Sequence, residues 1–590
     1  MADDESEVSD WGLPGAGPCL MPFTFHLRAL PRLRNPLSRP ILFQRARMVQ
    51  TKSIAVLDDA ELKDGEMKEV DFDDGKVLLT RLGSTINATS AFCTHYGAPL
   101  AKGVLTASGT ITCPWHGACF NACTGDIEDA PAPAGLHVFK AHVANGKIHV
   151  TVNPDYTKKE NMARHPKLST TGFDAVGKGT IVIGGGAGAF GLMESLRENG
   201  YKYPITILTQ EPHTPIDRTK LSKALITDPT KVQWKTAAEM KIHYGTNIRT
   251  NVTVTAVDFQ NKKVTVDDKE HLIYDRLVIA TGGSARRLPI EGADLENVYT
   301  FRTVEDAKKV DAAAQKDKKL VVIGSSFISM EVVAAVAKRE LASIDVIGMD
   351  EVPFQTVLGK EVGAGLMKYH ESTGVKFHMQ AKVEKIVASE DGKTATGVVV
   401  NGETIPADFV VMGVGVAPNT DLLKDLVKLE PDGGVKVDEY FRIVNVEAGT
   451  KFVFAIGDIA HVPLPMIGKQ HARIEHWNVA ANHGRTLGRT IAKEATTFNK
   501  IPVFWSAQGQ QLRYCGYAVG HDEVIVKGDP GELKFIAYYA KGGKIVAVCS
   551  MQNDPVVSKA ARLFQLGKMP TPEAVRDGAN LLDIDISSQA

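Results

Sequence analysis

The chain is 590 residues long, 44% hydrophobic and 23% charged, with a formal net charge of −1. That length exceeds a single hydrophobic core and implies three or four domains, while the near-neutral balance gives no basis for a nucleic-acid partner. No apolar run reaches the roughly 18 residues that a membrane-spanning helix needs.

In chain order, residues 1–50 are set apart as a leader. Asp3, Asp4, Glu5, Glu7 and Asp10 precede a stretch, Trp11 to Leu57, that holds no acid while Arg28, Arg32, Arg34, Arg39, Arg45 and Arg47 accumulate. An Arg-rich, acid-free leader resembles a mitochondrial transit peptide, with Met21 as an alternative start; the other reading is a basic arm on a cytoplasmic protein. Residues 51–152 are short Thr- and Val-rich runs, such as KVLLTRL and GKIHVTV, broken by Gly, Pro and Asp, and predict a small all-β domain. Residues 153–179 are polar and aperiodic, and predict a linker. From Thr180 the texture becomes strand, glycine turn and helix, first in TIVIGGGAGAFGLMESLRENG and again in KLVVIGSSFISMEVVAAVAKRE. Two such units imply two doubly wound α/β domains, one for each nucleotide. Residues 491–590 run as strands (DEVIVKG, ELKFIAYY, KIVAVCSM) and then a helix, an α+β domain.

Seven cysteines in so long a chain form no disulfide framework, and Cys93, Cys113, Cys119 and Cys123 crowd one region, which favours metal or redox use. Cys93-Thr94-His95 and Cys113-Pro114-Trp115-His116 are two mixed Cys/His pairs. Zinc accepts two thiolates and two imidazoles, but its structural knuckles pair Cys with Cys. Mixed pairs suit a [2Fe–2S] centre in which two histidines replace two thiolates and raise the reduction potential. The stretches CTHYG, CPWHG and Phe120 to Gly125 resemble Rieske ferredoxins, which implies that Cys93 and Cys113 hold one iron and His95 and His116 the other. High-potential members carry a disulfide between the ligand loops. The matching positions are Ala98 and Trp115, and Ala118 stands where a serine bonds the cluster, so a potential near roughly −150 mV is expected. Cys119 and Cys123 are read as spare thiols on a strand.

The first glycine cluster, Gly184-x-Gly186-x-Gly188-Ala189, follows a strand and opens a helix, so pyrophosphate can rest on free N–H groups at the helix start. Glu211 in ILTQE is the candidate for the ribose. RTKLSK (Arg218 to Lys223), YDRLVIATGG (Tyr274 to Gly283) and FVFAIGD (Phe452 to Asp458) resemble the ferredoxin-reductase branch of pyridine-nucleotide flavoproteins. That resemblance implies FAD, with Asp458 on its ribityl or phosphate side. It also implies Lys223 near flavin N5 paired with Glu331, and Val254, Arg286 and Trp477 as further flavin contacts. In related reductases the tryptophan matching Trp505 lies near the flavin edge. A lysine there would stabilise negative charge on reduced flavin, which makes Lys223 and Glu331 the catalytic candidates.

The second fingerprint, Gly324-Ser325-Ser326-Phe327-Ile328-Ser329, has serine at its third and sixth positions, where the family has glycine. The glutamate that ends the next strand in family members is replaced by Gly348, with Asp350 and Glu351 shortly after. NAD(H) is the favoured coenzyme, and NADP(H) stays open. GVGVAPN (Gly413 to Asn419) resembles the family's return to the flavin domain, which gives flavin segments 180–286 and 417–490 around a nicotinamide domain at 287–416. No C-x-x-x-x-C dithiol follows the first fingerprint, so electrons need another exit. The whole order resembles the apoptosis-inducing-factor-like flavoproteins that carry an N-terminal Rieske domain. This resemblance implies an NAD(P)H oxidoreductase that passes electrons through FAD to its own cluster and on to an unidentified acceptor. The alternative is a nucleotide-binding signalling protein with incidental turnover, and a third reading is a reductase feeding a separate oxygenase or haem partner. A homodimer is left open.

Overall fold

The computed structural model describes residues 51–164, 177–444, 446 and 451–588. The leader therefore lies outside the described residues. The amino-terminal β domain has two layers. Six antiparallel strands run in the order Lys52–Asp58, Lys147–Val152, Val138–Ala144, Thr85–Ser90, Gly75–Leu82 and Met67–Phe72. Alternating side chains, Val70, Phe72, Val77, Leu79, Ile148 and Val150, bury one face of this sheet. A second sheet of Val104–Leu105, Thr110–Thr112, Cys119–Asn121 and Ile127–Asp129 surrounds the two Cys/His loops. The polar stretch from Asn153 is folded as far as it is described. It makes turns at Pro154–Thr157 and Lys159–Asn161, and Ala163–Arg164 pairs with Gly135–Leu136.

Both glycine fingerprints sit at the ends of parallel strands whose apolar runs are buried on both faces. The first sheet has the order Thr246–Arg249, Ile205–Leu208, Thr180–Ile183, Arg276–Ile279 and Val453–Ala455. Its last strand returns only after the second unit is complete. That unit has the order Val298–Thr300, Phe409–Met412, Lys319–Ile323, Ser343–Ile347 and Val375–His378. Outgoing Gly283–Ala285 pairs antiparallel with returning Val416–Pro418, so the crossing between the units is one two-stranded ribbon.

Helices Ala187–Glu198 and Trp477–Ala492 cross closely beneath the first sheet. A Cβ on Gly484 would lie 2.1 Å from the Gly188 carbonyl oxygen, so this crossing requires glycine. The carboxyl-terminal sheet, in the order Val503–Gln508, Gln510–Gly516, Lys544–Met551, Lys534–Lys541 and Glu523–Asp529, carries the helix Val556–Leu566. Its residues join two cores. Leu512, Tyr514 and Phe535 pack with the nicotinamide unit, whereas Val503, Val548 and Leu563 share a core with Val104 of the amino-terminal domain.

Candidate active site and metal centre

The two ligand loops have the same local construction. Cys93 N–H donates to Ala98 O and Cys113 N–H donates to Ala118 O, each at 2.8 Å, and Gly97 and Gly117 turn each loop at φ +73 and +71. This brings His95 Nδ1 to 3.1 Å from His116 Nδ1, while the Cys93 and Cys113 thiols face each other within hydrogen-bond reach. Among the described residues no three His, Cys, Asp or Glu side chains converge on one ion position. A tetrahedral zinc site needs four donors on one point. A thiol pair and an imidazole pair instead fit two irons. Burial keeps the imidazoles neutral, with His95 pushed down to about 3 and His116 well below its usual value; the neutral ring is the form that ligates metal. Cys119 is buried in its strand, its thiol pushed up to about 12 by burial, and Cys123 is exposed in the following turn, so these two thiols do not share the strand expected of them.

The first fingerprint fits a dinucleotide. Gly184 has φ +112, and a Cβ there would lie 2.1 Å from the Ala280 carbonyl oxygen. Gly186 caps the helix Ala187–Glu198 with no side-chain bond, and the space before its Cα is open. Free helix N–H groups therefore face room for a pyrophosphate. Gly188 and Ala189 are buried in the first turn. Glu211 is held by a two-pronged bond from Arg218 Nη2 at 2.6 and 2.8 Å. Asp458 accepts from Arg302 Nη2 at 2.6 Å. Val254 is half-buried against the flavin-domain core, and exposed Arg286 donates from Nε to Val416 O on the interdomain ribbon. Trp477 opens its helix 5.5 Å from the ring of Trp234, and the indole nitrogens of both are buried without a partner among the described residues.

Lys223 and Glu331, from helices Thr219–Ala224 and Phe327–Val336, form an ion pair at 2.9 Å. Glu331 is buried, and the hydroxyls of Ser222 and Ser506 also donate to it. Gln508 Nε2 donates to Ser506 Oγ at 3.0 Å and its Oε1 lies 3.0 Å from His370 Nε2. One buried chain of bonds thus joins the flavin helix, the nicotinamide unit and the carboxyl-terminal sheet.

Ser326 caps the second helix in extended geometry, φ −99, and is exposed. Ser329 is buried and tolerated because its neighbour is Gly413: a Cβ there would lie 1.8 Å from Ser329 Oγ. Gly324 keeps the tight turn at φ +103. Asp350 accepts from Thr356 Oγ1 at 3.3 Å and Glu351 pairs with Lys360 at 2.5 Å.

The metal loops and the flavin side meet directly. The ring of Trp505, on strand Val503–Gln508, lies 4.5 Å from that of His116 and 5.6 Å from that of His95. Trp234 lies 5.7 Å from His95. Asp217, one residue before the RTKLSK motif, is buried with Oδ2 at 4.0 Å from His95 Nε2, an atom with no hydrogen bond among the described residues, and it accepts from Tyr96 Oη. The sequence gives no signal for Asp217 or Tyr96 beyond their places beside the motifs. Around this contact the domains are clamped. Asp129 is buried between Lys500 at 2.5 Å and Arg562 at 3.0 Å. Burial alone would raise its carboxyl, but those cations hold it well below the usual carboxylate range. Arg485 and Arg489 donate to Ile127 O, Asn482 and Asn478 bond the Ala130 peptide, and Ser558 Oγ donates to Cys113 O.

Three families match successive parts of the chain. These are the Rieske [2Fe-2S] domain at residues 52–140, pyridine nucleotide-disulphide oxidoreductase at 178–484, and the reductase C-terminal domain at 503–583. Apoptosis-inducing factor 3 of Homo sapiens is 37% identical over 518 residues, which cover 87% of this chain and 84% of that protein. Rhodocoxin reductase of Rhodococcus erythropolis is 33% identical, over 67% of this chain and 92% of that protein. The crystal structure of the ferredoxin reductase for the CYP199A2 system from Rhodopseudomonas palustris superposes with a TM-score of 0.62 at 27% identity, covering 68% of this chain and 98% of that one. Fold, donor set and matches define a pyridine-nucleotide flavoprotein reductase fused to an iron–sulfur domain. The chain belongs to the apoptosis-inducing-factor-like flavoproteins with an amino-terminal Rieske domain, and its cofactors are FAD, NAD(H) and a [2Fe–2S] cluster.

Proposed function

We propose that this oxidoreductase takes electrons from NAD(P)H through FAD to its own Rieske cluster and on to an external one-electron acceptor. The observation that carries this is the packing of Trp505 on His116, one residue from Ser506, which holds the Lys223–Glu331 pair. When bound, FAD would accept one hydride, two electrons, and the cluster would pass electrons singly, so the two cofactors together would join a two-electron donor to a one-electron path.

The chain's own groups do the rest. The Gly184–Ala189 turn binds the pyrophosphate, and Asp458 and Glu211, already oriented by Arg302 and Arg218, bind the sugar side. Glu331 fixes the Lys223 ammonium, which stabilises negative charge near the ring. Trp477, Val254 and Arg286 shape the flavin cavity, and Trp505, Trp234 and Asp217 exclude water between it and the histidines. Cys93 and Cys113 would hold one iron, and His95 and His116 the other. Gly324 and Ser326 would bind the nicotinamide nucleotide's pyrophosphate. Asp350 and Glu351 place negative charge beyond Gly348, which supports NADH over NADPH, whose 2′-phosphate they would repel.

The domain division that fits these roles is 51–152 for the cluster, 153–179 as connector and 180–286 with 417–490 for FAD. Residues 287–416 then bind NAD, and 491–590 are the carboxyl-terminal α+β domain, which supplies Lys500, Ser558 and Arg562 to the clamp. The arginine-rich stretch before residue 58 supports a mitochondrial address, which fractionation of cells would test. The cofactor reading is tested by iron, acid-labile sulfide and flavin analysis of purified protein. Two irons, two sulfides and one FAD per chain are expected; a single zinc without sulfide would overturn it.

A further inference from the structure

Trp505 and Tyr96 each lie against both histidine rings, but only His95 is stacked flat on Tyr96, and that difference points to where electrons leave. His116 is nearest Trp505 on the flavin side. His95 stacks face to face on Tyr96, with ring centroids 3.7 Å apart and 18° between planes. Tyr96 is half-buried, and Lys220 Nζ lies 4.3 Å from the centroid of its ring. Beside it Phe92, also half-buried, has Lys159 Nζ at 5.4 Å from its ring centre. Lys159 lies across the same ligand loop, since a Cβ on Gly97 would be 3.0 Å from its Nζ. The two lysines come from different segments, the turn Lys159–Asn161 and the helix Thr219–Ala224. Among the described residues neither has a carboxylate within ion-pair distance, whereas neighbouring Lys158 is paired with Asp74 and Asp155. Glu160 turns instead to a separate cavity lined by His137, Tyr156 and Arg164. The histidines themselves are covered, each 7% exposed, so no partner reaches them directly.

We propose that the Phe92–Tyr96 face, rimmed by Lys159 and Lys220, is the docking site of an acidic one-electron carrier protein, with Tyr96 as the pane between it and His95. The proposal rests on the electron route above and names the partner class for it. Unpaired lysines around an aromatic window attract and orient an acidic partner, while ring contact shortens the path. Each NAD(P)H reduces two carrier molecules by one electron each and releases NAD(P)+ and one proton.

The test uses the holoprotein with two probes, the acidic haem domain of cytochrome b5 and basic cytochrome c. Internal reduction of the cluster by NADH is recorded first, so a failure of the route is seen separately from a failure of the docking face. In K159E/K220E, with each rate taken relative to that internal step, oxidation by cytochrome b5 at low salt is expected to slow about tenfold while oxidation by cytochrome c quickens. A mere change of cluster potential would move both rates in one direction. Zero-length carbodiimide cross-linking of oxidised proteins should join Lys159 or Lys220 to cytochrome b5 carboxylates. Y96L should slow both probes and Y96F should not. Equal rates for the wild type and K159E/K220E with both probes, or cross-links confined to other lysines, would overturn the proposal.

Discussion

Lys223 owes its position to a carboxylate that has little freedom of its own. Glu331 accepts from Lys223, Ser222 and Ser506 at once, so the ammonium is held without a search through lysine rotamers. Lys223→Met is expected to slow flavin reduction by NADH on the order of 10²-fold, read by stopped-flow absorbance at 450 nm or so. Asp217 acts on the other cofactor. A carboxylate 4.0 Å from His95 Nε2 favours the oxidised, more positive cluster. Asp217→Asn should therefore raise the reduction potential above the wild-type value. A redox titration followed by electron paramagnetic resonance would show an unchanged or lower value if Asp217 plays no such part. The Cys93, His95, Cys113, His116 quartet was legible in sequence because each pair is local and its spacing is set by one tight loop. Asp217 was not, because its meaning comes from a histidine more than a hundred positions away.

At the scale of elements, the clamp around Asp129 decides whether the cluster domain stays beside the flavin. Removing one member of a buried ion cluster leaves the others uncompensated, at about 3–5 kcal/mol. Asp129→Asn is expected to leave flavin reduction by NADH unchanged and to slow the following cluster reduction, measured as the second phase of the same stopped-flow trace. Because the Asp129 carboxyl is held below its ordinary range, its contribution is present above the unfolded value near about 4 and is lost only as pH falls further. The wild-type second phase should accordingly persist at pH 5. The strand–turn–helix units were readable from their apolar runs and glycines. The clamp was not, since Arg562 and Asp129 stand 433 residues apart and neither carries a motif. Ser329 teaches a similar lesson. It reads as a damaged fingerprint, yet Gly413 provides the room that the family's glycine leaves at position 329.

For the whole molecule, several histidines are buried neutral. Burial pushes His370 and His476 down to about 4 and His483 to about 3. Below their unfolded value near about 6.5 the unfolded chain binds more protons than the folded one, so stability falls as pH falls. The melting temperature should be flat from pH 8 to 7 and decline below about 6.5; a flat profile down to pH 5 would show that these rings find protons in the fold. The domain order itself was legible because each block has its own texture, whereas the docking that joins them was not, since it depends on polar contacts between distant surfaces.

The proposed internal relay runs from flavin to cluster across Trp505 and the histidines. Anaerobic single-turnover reduction with NADH, with flavin absorbance and the Rieske resonance followed on the same time axis, tests it most directly. Flavin bleaching first, then cluster reduction at a rate independent of protein concentration, is the predicted result. A reduced flavin beside a cluster that stays oxidised, or one that is reduced faster as protein is concentrated, would contradict it.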